Sequence, residues 1–439
     1  MRPLADAAVC RAESDWLIGI NGTRAMTAFN SKTGGFHKTT VGRVQTPTLT
    51  VVVEREERIR AFVPRTYWEV EAAFVSAAGD YSGRWFDEGF DRRRATETER
   101  AERLWDKARA EAIRARCLGR PGAVSEETKP ATQLSPLLFD LTSLQREANS
   151  RFGFSAKMTL GLAQALYEKH KVLTYPRTDS RALPEDYLLT VKATLKALSD
   201  TPYATFAGQI LKAGWARPNK RIFNNAKVSD HFAIIPTLLA PKHLVEPEQK
   251  LYDMVVKRFL AVFFPPAESL VTTRITRVEG EPFKTEGRIL VSAGWTAIYG
   301  KEAQEADAVP QLPPITAKEK VEAAEIAVQE NQTKPPARFT EATLLSAMEG
   351  AGKLVEDEEL REAMREKGLG TPATRAQIIE NLIQEDYLQR VGRDLHPTAK
   401  AFQLITALRG LKIDGLCSPE LTGDWEYKLK QMEHGKLER

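Results

Sequence analysis

Side chains alternate with a period of two in two separated parts of this chain, and helical spacing fills the stretch between them. Arg65 to Phe86 holds the first part. There YWEVEAAFV and YSGRWF flank Ala78-Gly79-Asp80 as two strands of a half-buried antiparallel sheet flank a turn. After Pro265 the pattern returns in LVTTRITRV, PFKTEGRILV and GWTAIY. The chain therefore runs helical, β, helical, β, helical. This order predicts one β domain interrupted by an inserted helical domain, in an α+β multidomain protein. At roughly 150 residues per domain, 439 residues make about three domains.

Leu17, Ile20, Arg24, Thr27 and Ala28 fall at helix spacing, and Val51 to Ile59 continues a second helix beyond the Gly- and Thr-containing stretch Ser31 to Pro47. Thr96 to Arg116 reads as a charged helix. Leu118 to Pro136 reads as a polar connection and a domain boundary. Leu137 to His170 is helical with a break at Phe152 to Ser155, where Ser155 can cap the second half. KVLTYPRTDS reads as a short strand ending at a proline. Pro184 to Leu198 reads as a helix with Leu188, Val191, Leu195 and Leu198 on its buried stripe. Ala303 to Pro336 reads as linker and edge strand. From Phe339 onward the chain is helical, apart from a hairpin in LQRVGRDLHP centred on Gly392.

Composition excludes several classes. Hydrophobic residues make up 42% and charged residues 28%, which allows a core and a soluble surface. No run approaches the roughly 20 apolar residues of a membrane helix. Met1 to Arg11 lacks the apolar core of a secretory signal. Cys10, Cys117 and Cys417 are too scattered for a metal pair or a disulfide framework, so a reduced cytoplasm is the expected compartment. The net charge of +4 is mild, so local clusters matter more. Arg92-Arg93-Arg94 is one. Another is the run Lys212, Arg217, Lys220, Arg221, Lys227 with Trp215 and Phe223 interleaved, which could track a nucleic-acid strand or form a solvated loop. P-loop, H-E-x-x-H and G-x-S-x-G patterns are missing, as is any Asp-x-Asp pair, and no two of the six histidines stand at metal-ligand spacing. Glu356 to Glu359 reads as the solvated start of a helix.

The segment Leu173 to Ser180 is the strongest chemical candidate. Pro176 biases Tyr175 to an extended backbone, which holds the tyrosine at a strand end. In an extended chain Arg177 lies on the same side, where its guanidinium could bind a phosphate attacked by the tyrosine. The alternative is a loop tyrosine with Arg177 paired to Asp179. His231, opening the apolar run from Phe232 to Ile235, could donate to a phosphate oxygen or be half-buried on backbone.

TYPRTDS around Tyr175 and DHFAIIPT around His231 resemble the active-site motifs of the type IA DNA topoisomerases, in their topoisomerase III branch. Ser14 to Asn21 with Thr23-Arg24, Val41 to Pro47, Phe339 to Ala342, Gly368 to Arg375 and Leu421 to Glu426 resemble further motifs of that family, in its order and across the whole chain. The resemblance implies a toroid-like core. Residues 1–62 and 338–439 would form a helical gate domain, 63–128 and 256–337 a β arch, and 129–255 the helical tyrosine domain. It implies that Tyr175 attacks a phosphodiester and holds the 5′ phosphate, that Arg177 steadies it and that His231 contacts the scissile region. Arg11, Thr40, Arg43, Gln45, Thr374 and Arg375 would grip single-stranded DNA.

Members of that family also begin with an α/β TOPRIM domain that supplies a glutamate, an Asp-x-Asp magnesium site and a lysine acid. No βαβ pattern precedes Asp15 here. The resemblance thus implies a core without TOPRIM, whose Mg2+ ligands and leaving-group acid belong to a TOPRIM-containing segment. It implies a cytoplasmic protein acting at the nucleoid or on plasmids. A non-catalytic clamp for single-stranded DNA is the alternative. An unrelated phosphoryl-transfer tyrosine enzyme is disfavoured, because no arginine-rich recombinase pocket is legible.

Overall fold

The computed structural model describes residues 2–32, 34–300, 311–316, 319–354, 358–365 and 368–439. Helices α1 (Arg2–Asn30) and α2 (Gln45–Arg60) open the chain. Strands β1 (Thr66–Ser76) and β2 (Gly79–Trp85), helix α3 (Lys107–Cys117) and strand β3 (Pro121–Gln133) follow. The inserted block holds α4 (Leu141–Phe152), α5 (Ala156–Glu168), α6 (Leu188–Ala197), α7 (Ala204–Ala213) and α8 (Glu246–Ala261). Then come β4 (Ala267–Val278), β5 (Glu281–Ser292) and β6 (Lys320–Gln332). The last part has β7 (Phe339–Thr340), α9 (Glu341–Glu349), α10 (Glu358–Arg365), α11 (Pro372–Gln384), β8 (Leu388–Val391), β9 (Asp394–Pro397), α12 (Ala399–Gly410) and α13 (Glu420–Glu433).

The two β parts close on each other. Their strands form a barrel in the order β1-β2-β5-β4-β3-β6; each part pairs strands of its own, β1 with β2 and β4 with β5, but the barrel closes only when both parts contribute. β3 and β4 pair from Gly122↔Val278 to Gln133↔Ala267, which brings the two ends of the helical insert side by side. Three cores result. The barrel buries Val70, Phe74, Trp85 and Phe283 together with Ile113 and Cys117 of α3. The insert buries Phe139, Leu195, Ile234 and Phe259. Met26, Leu49 and Val53 from the first helices pack with Leu345, Ile379 and Leu404 from the last part, so the first and last helical segments share a core.

Four sequence expectations change. Residues 96–106 are turns rather than the first half of a helix. Leu104 is extended and exchanges two backbone bonds with Trp68, and the helix starts only after Asp106, whose side chain accepts from the Ala108 amide. The supposed polar connection after Leu118 is β3, a 13-residue strand. Its backbone pairs with β4 while most of its side chains stay exposed, so no alternation marks it. GWTAIY is a 3-10 turn, since Gly294 takes φ 49° and a side chain there would meet the Pro266 carbonyl at 2.2 Å. Lys320 to Gln332 is no edge strand. It pairs with β1 along its length and with β3 at its start, which closes the barrel.

Candidate active site

Three extended pieces of the insert meet through backbone bonds. The Ile234 amide donates to Phe139 O at 2.8 Å, the Thr174 amide to Ile235 O at 3.0 Å and the Thr237 amide to Val172 O at 3.0 Å. The contacts are isolated bridges rather than a ladder, because prolines at 176 and 236 remove donors. Two threonines add side-chain stitches. Thr174 Oγ1 donates to Ala233 O at 3.1 Å and accepts from the Ile235 amide at 2.9 Å. Thr178 Oγ1 donates to His231 O at 2.9 Å. The TYPRTDS and DHFAIIPT motifs are thereby fastened to each other, and the Tyr175 and His231 rings lie 4.3 Å apart. Tyr167 of α5 supports the other side of Tyr175, edge-on at 5.4 Å.

Past the tyrosine the chain alternates strictly. Pro176, Thr178, Ser180 and Ala182 are buried, whereas Arg177 and Asp179 are exposed and Tyr175 and Arg181 half-buried. Arg177 thus shares the outward side with Tyr175. It has no side-chain partner among the described residues, and Asp179 accepts instead from Ser229 Oγ at 2.9 Å. His231 is exposed rather than half-buried on backbone, and its ring faces the tyrosine.

A charged layer ties this segment to neighbouring helices. The Leu141 amide in the first turn of α4 donates to Thr178 O at 3.0 Å. Asp140 caps that helix, accepting from the Ser143 amide at 2.7 Å. Arg181 Nε donates to Asp140 Oδ2 at 2.7 Å, and its Nη2 reaches Glu349 of α9 at 3.3 Å. Arg375 arrives from α11, only 2% exposed, with Nη1 donating to Thr142 Oγ1 at 3.0 Å and Nε to Leu369 O at 3.2 Å. Burial pushes its pKa down, while Glu349, Asp140 and Asp179 work against the shift. The expected strand-gripping Arg375 is thus a buried cation beneath the tyrosine segment. Arg181, Asp140 and Glu349 were not singled out from sequence. The outward alternation that selects Arg177 also selects Arg181, but nothing local marks Glu349 as its partner.

The other candidates stand elsewhere. Arg43 is buried, with Nε bonded to Asp15 at 2.7 Å and Nη1 to Glu426 at 3.4 Å, and its guanidinium lies 5.2 Å from the Trp425 ring. Arg11 binds both Glu426 oxygens, at 2.5 and 2.6 Å. Burial is the largest influence and opposes the Arg11 charge, but the bond to Glu426 and the nearby charges of Glu426, Asp15 and Glu433 together outweigh it and the pKa is raised. These carboxylates hold both guanidinium groups, and Arg43 is buried while Arg11 keeps 31% of its side chain exposed. Thr40 and Gln45 come together, Gln45 Nε2 donating to Thr40 Oγ1 at 3.0 Å, and both are half-buried. Thr374 is exposed, and its hydroxyl accepts from the Thr371 amide at 2.9 Å in the capping box of α11.

The basic-aromatic run does not form a stacking platform. Phe223 is buried, Trp215 packs on the same core, Lys220 pairs with Glu185 and Arg221 bonds to Ser135 O. Arg93 and Arg94 share Asp91 on an exposed turn. Glu356 and Asp357 lie outside the described residues. Among the described residues no three His, Cys, Asp or Glu side chains gather as a metal site, and no helix is long and apolar enough to cross a membrane.

The family model described as DNA topoisomerase matches residues 1–439. DNA topoisomerase 3 of Bacillus licheniformis is 41% identical over 444 residues, covering 99% of this chain and 58% of the relative. DNA topoisomerase 3 of Bacillus subtilis is likewise 41% identical, over 445 residues with the same coverage. The chain therefore spans little more than half the length of these curated relatives. Full-length topoisomerase I of Thermotoga maritima shares the fold, with a TM-score of 0.71 over 98% of this chain and 65% of that one at 22% identity.

Proposed function

The chain belongs to the DNA topoisomerase family, and we propose that it is a type IA core that cleaves and rejoins one DNA strand through Tyr175. In this reading the Tyr175 hydroxyl oxygen attacks a backbone phosphorus, the 3′ oxygen leaves and takes a proton, and the 5′ phosphate stays on the tyrosine. The reverse attack by the 3′ hydroxyl reseals the strand and frees the tyrosine. Strand passage while the break is held changes DNA topology. One observation carries the proposal: Tyr175 lies against His231 while Arg177, on the same outward side, has no partner among the described residues. An unpaired guanidinium beside a nucleophile suits a phosphate that gains charge as it is attacked.

Thr40, Gln45 and Thr374 would meet single-stranded DNA through hydroxyl and amide groups. Arg11, Arg43 and Arg375 would act from beneath, holding the elements that carry those groups. Residues 1–62 and 338–439 would serve as the gate, 63–128 and 256–337 as the arch and 129–255 as the tyrosine domain; the separate large cores support three bodies, but β3 runs on to Gln133 and Val256 to Phe263 pack into the tyrosine-domain core, so the insert is better bounded at 134 and 266. The family resemblance also implies magnesium. The described residues do not fit that ion, since they offer no cluster of ligands, and no step here runs through it. The proton for the leaving oxygen and the metal ligands are assigned to residues outside these 439.

The test is adduct trapping on denaturing gels, with the chain alone and joined to the remaining part of a curated relative. A covalent DNA adduct should form in the joined protein and vanish in Tyr175→Phe, while oligonucleotide binding survives. An adduct that persists in Tyr175→Phe would mean that another residue is the nucleophile.

A further inference from the structure

A groove between the α1–α2 loop and α12 combines features found nowhere else among the sites above. Phe29, Phe36 and Phe402 line it with His37, Lys38 and Lys400, around a cavity of about 1060 Å³. That exceeds the roughly 300–1,000 Å³ of ordinary ligand clefts. Phe36 is 80% exposed and Phe29 42%, an unfavourable state for phenyl rings that nothing covers. Gly34 and Gly35 take φ 107° and 80°, backbone that turns the loop just before Phe36 and that other residues rarely adopt.

Charge narrows the ligand. Among the described residues no acidic side chain lines the groove. Glu385 sits behind its rim, 2.6 Å from Lys38 Nζ, but Lys400 meets only the Glu385 backbone carbonyl, at 2.7 Å. Lys32 lies 5.1 Å over Phe29 and Arg60 4.3 Å over Phe402, so cations stand beside two of the three rings. Exposed rings edged by cations suit an anionic chain with aromatic faces. A duplex keeps its bases stacked on each other, whereas a single strand can turn them onto phenyl rings while lysines meet its phosphates.

The groove also adjoins residues proposed above for the strand: Lys38 and Thr39 line it and Thr40 follows in the chain, with a buried ring bracing the junction from beneath. Lys400 Nζ lies 4.6 Å over the Tyr387 ring, whose hydroxyl donates to Thr40 O at 3.2 Å, and Thr40 in turn accepts from Gln45. The geometry points to a stacking site for the bases of single-stranded DNA in this groove, beyond Thr40 and Gln45. It rests on the strand-binding reading given above and extends the path of that strand.

Fluorescence anisotropy tests it with two labelled probes of equal length, an oligothymidine and a strand of abasic sugars. Phe36→Ala changes a ring that is 80% exposed, so the fold survives. It should weaken oligothymidine binding roughly 5- to 100-fold, the range for losing a stacked base, and leave the abasic strand unchanged. Lys38→Ala should lower the salt slope by about one phosphate contact on both probes. Unchanged oligothymidine binding in Phe36→Ala, or an equal loss on both probes, overturns the stacking site and leaves strand binding standing. A wild-type chain that binds neither probe at low salt overturns the strand-binding reading, and this site with it.

Discussion

Arg177 and Arg43 both sit in motifs that face toward DNA in the family resemblance, yet their surroundings are opposite. Arg177 follows a proline, stands out from an extended chain and meets no carboxylate among the described residues. Arg43 lies at the start of α2 with Asp15, Glu426 and Trp425 around it, and only 3% of its side chain is exposed. A guanidinium left open can take up a phosphate with little rearrangement. A buried one already spends its donors on the protein, and removing it strands its partners. Identity of residue type therefore does not decide role. The neighbours that supply or withhold a counter-charge do.

Four changes would break or sharpen that contrast. Tyr175→Phe should abolish the trapped adduct entirely, because it removes only the oxygen proposed as the nucleophile. Arg177→Ala should slow adduct formation about 10²- to 10³-fold, as loss of one transition-state donor does, with the thermal midpoint unchanged. A merely structural Arg177 would instead shift the midpoint and spare the rate. Arg43→Ala should do the reverse. It should cost about 3 kcal/mol of stability, the low end for a broken buried pair, since Arg11 still covers Glu426. Denaturant unfolding would read this, and a full-strength fold with weakened DNA binding would return Arg43 to the strand. Thr371→Ala should cost the least, about 0.5 kcal/mol, since its hydroxyl meets only Thr374 Oγ1 at 3.1 Å and its backbone amide keeps the bond to that same oxygen.

Acid should separate the two regions as well. Arg338 binds Glu56 of α2 through Nε at 2.8 Å, and this bond together with Arg60 holds the Glu56 carboxyl below its ordinary pKa despite partial burial. A carboxyl depressed in the fold stabilises it at neutral pH, and that stability fades as pH falls through the folded value. Glu56→Gln should remove this part of the acid sensitivity, as unfolding at neutral and acidic pH would show.

Much of this was readable in the sequence because it rests on local periodicity. The alternation around Tyr175 is one case, and Ser155 is another, accepting from the Met158 amide as a cap should. Strand β3 escaped because its identity lies in backbone pairing with β4, far along the chain, and its polar side chains carry no period. The Lys212 to Lys227 run misled for a related reason. Composition shows that Phe223 neighbours basic residues, but not that its ring points into the core. The ion pairs around Arg11 and Arg43 depend on Glu426, brought back by α13 more than 380 positions later, as the 383-residue separation from Arg43 records. No window of sequence contains both partners.

Gln133 and Ala267 are direct partners across β3 and β4. Partners in an antiparallel pair lie only about 5 Å apart, a gap that a two-residue turn can bridge. In topological terms the helical body from 134 to 266 is an enlarged hairpin loop. Deleting it in favour of a tight turn would leave every barrel strand its neighbours. Conversely, the body could be exchanged for another whose ends lie equally close. The barrel is thus an attachment site whose own strand order is indifferent to what it carries.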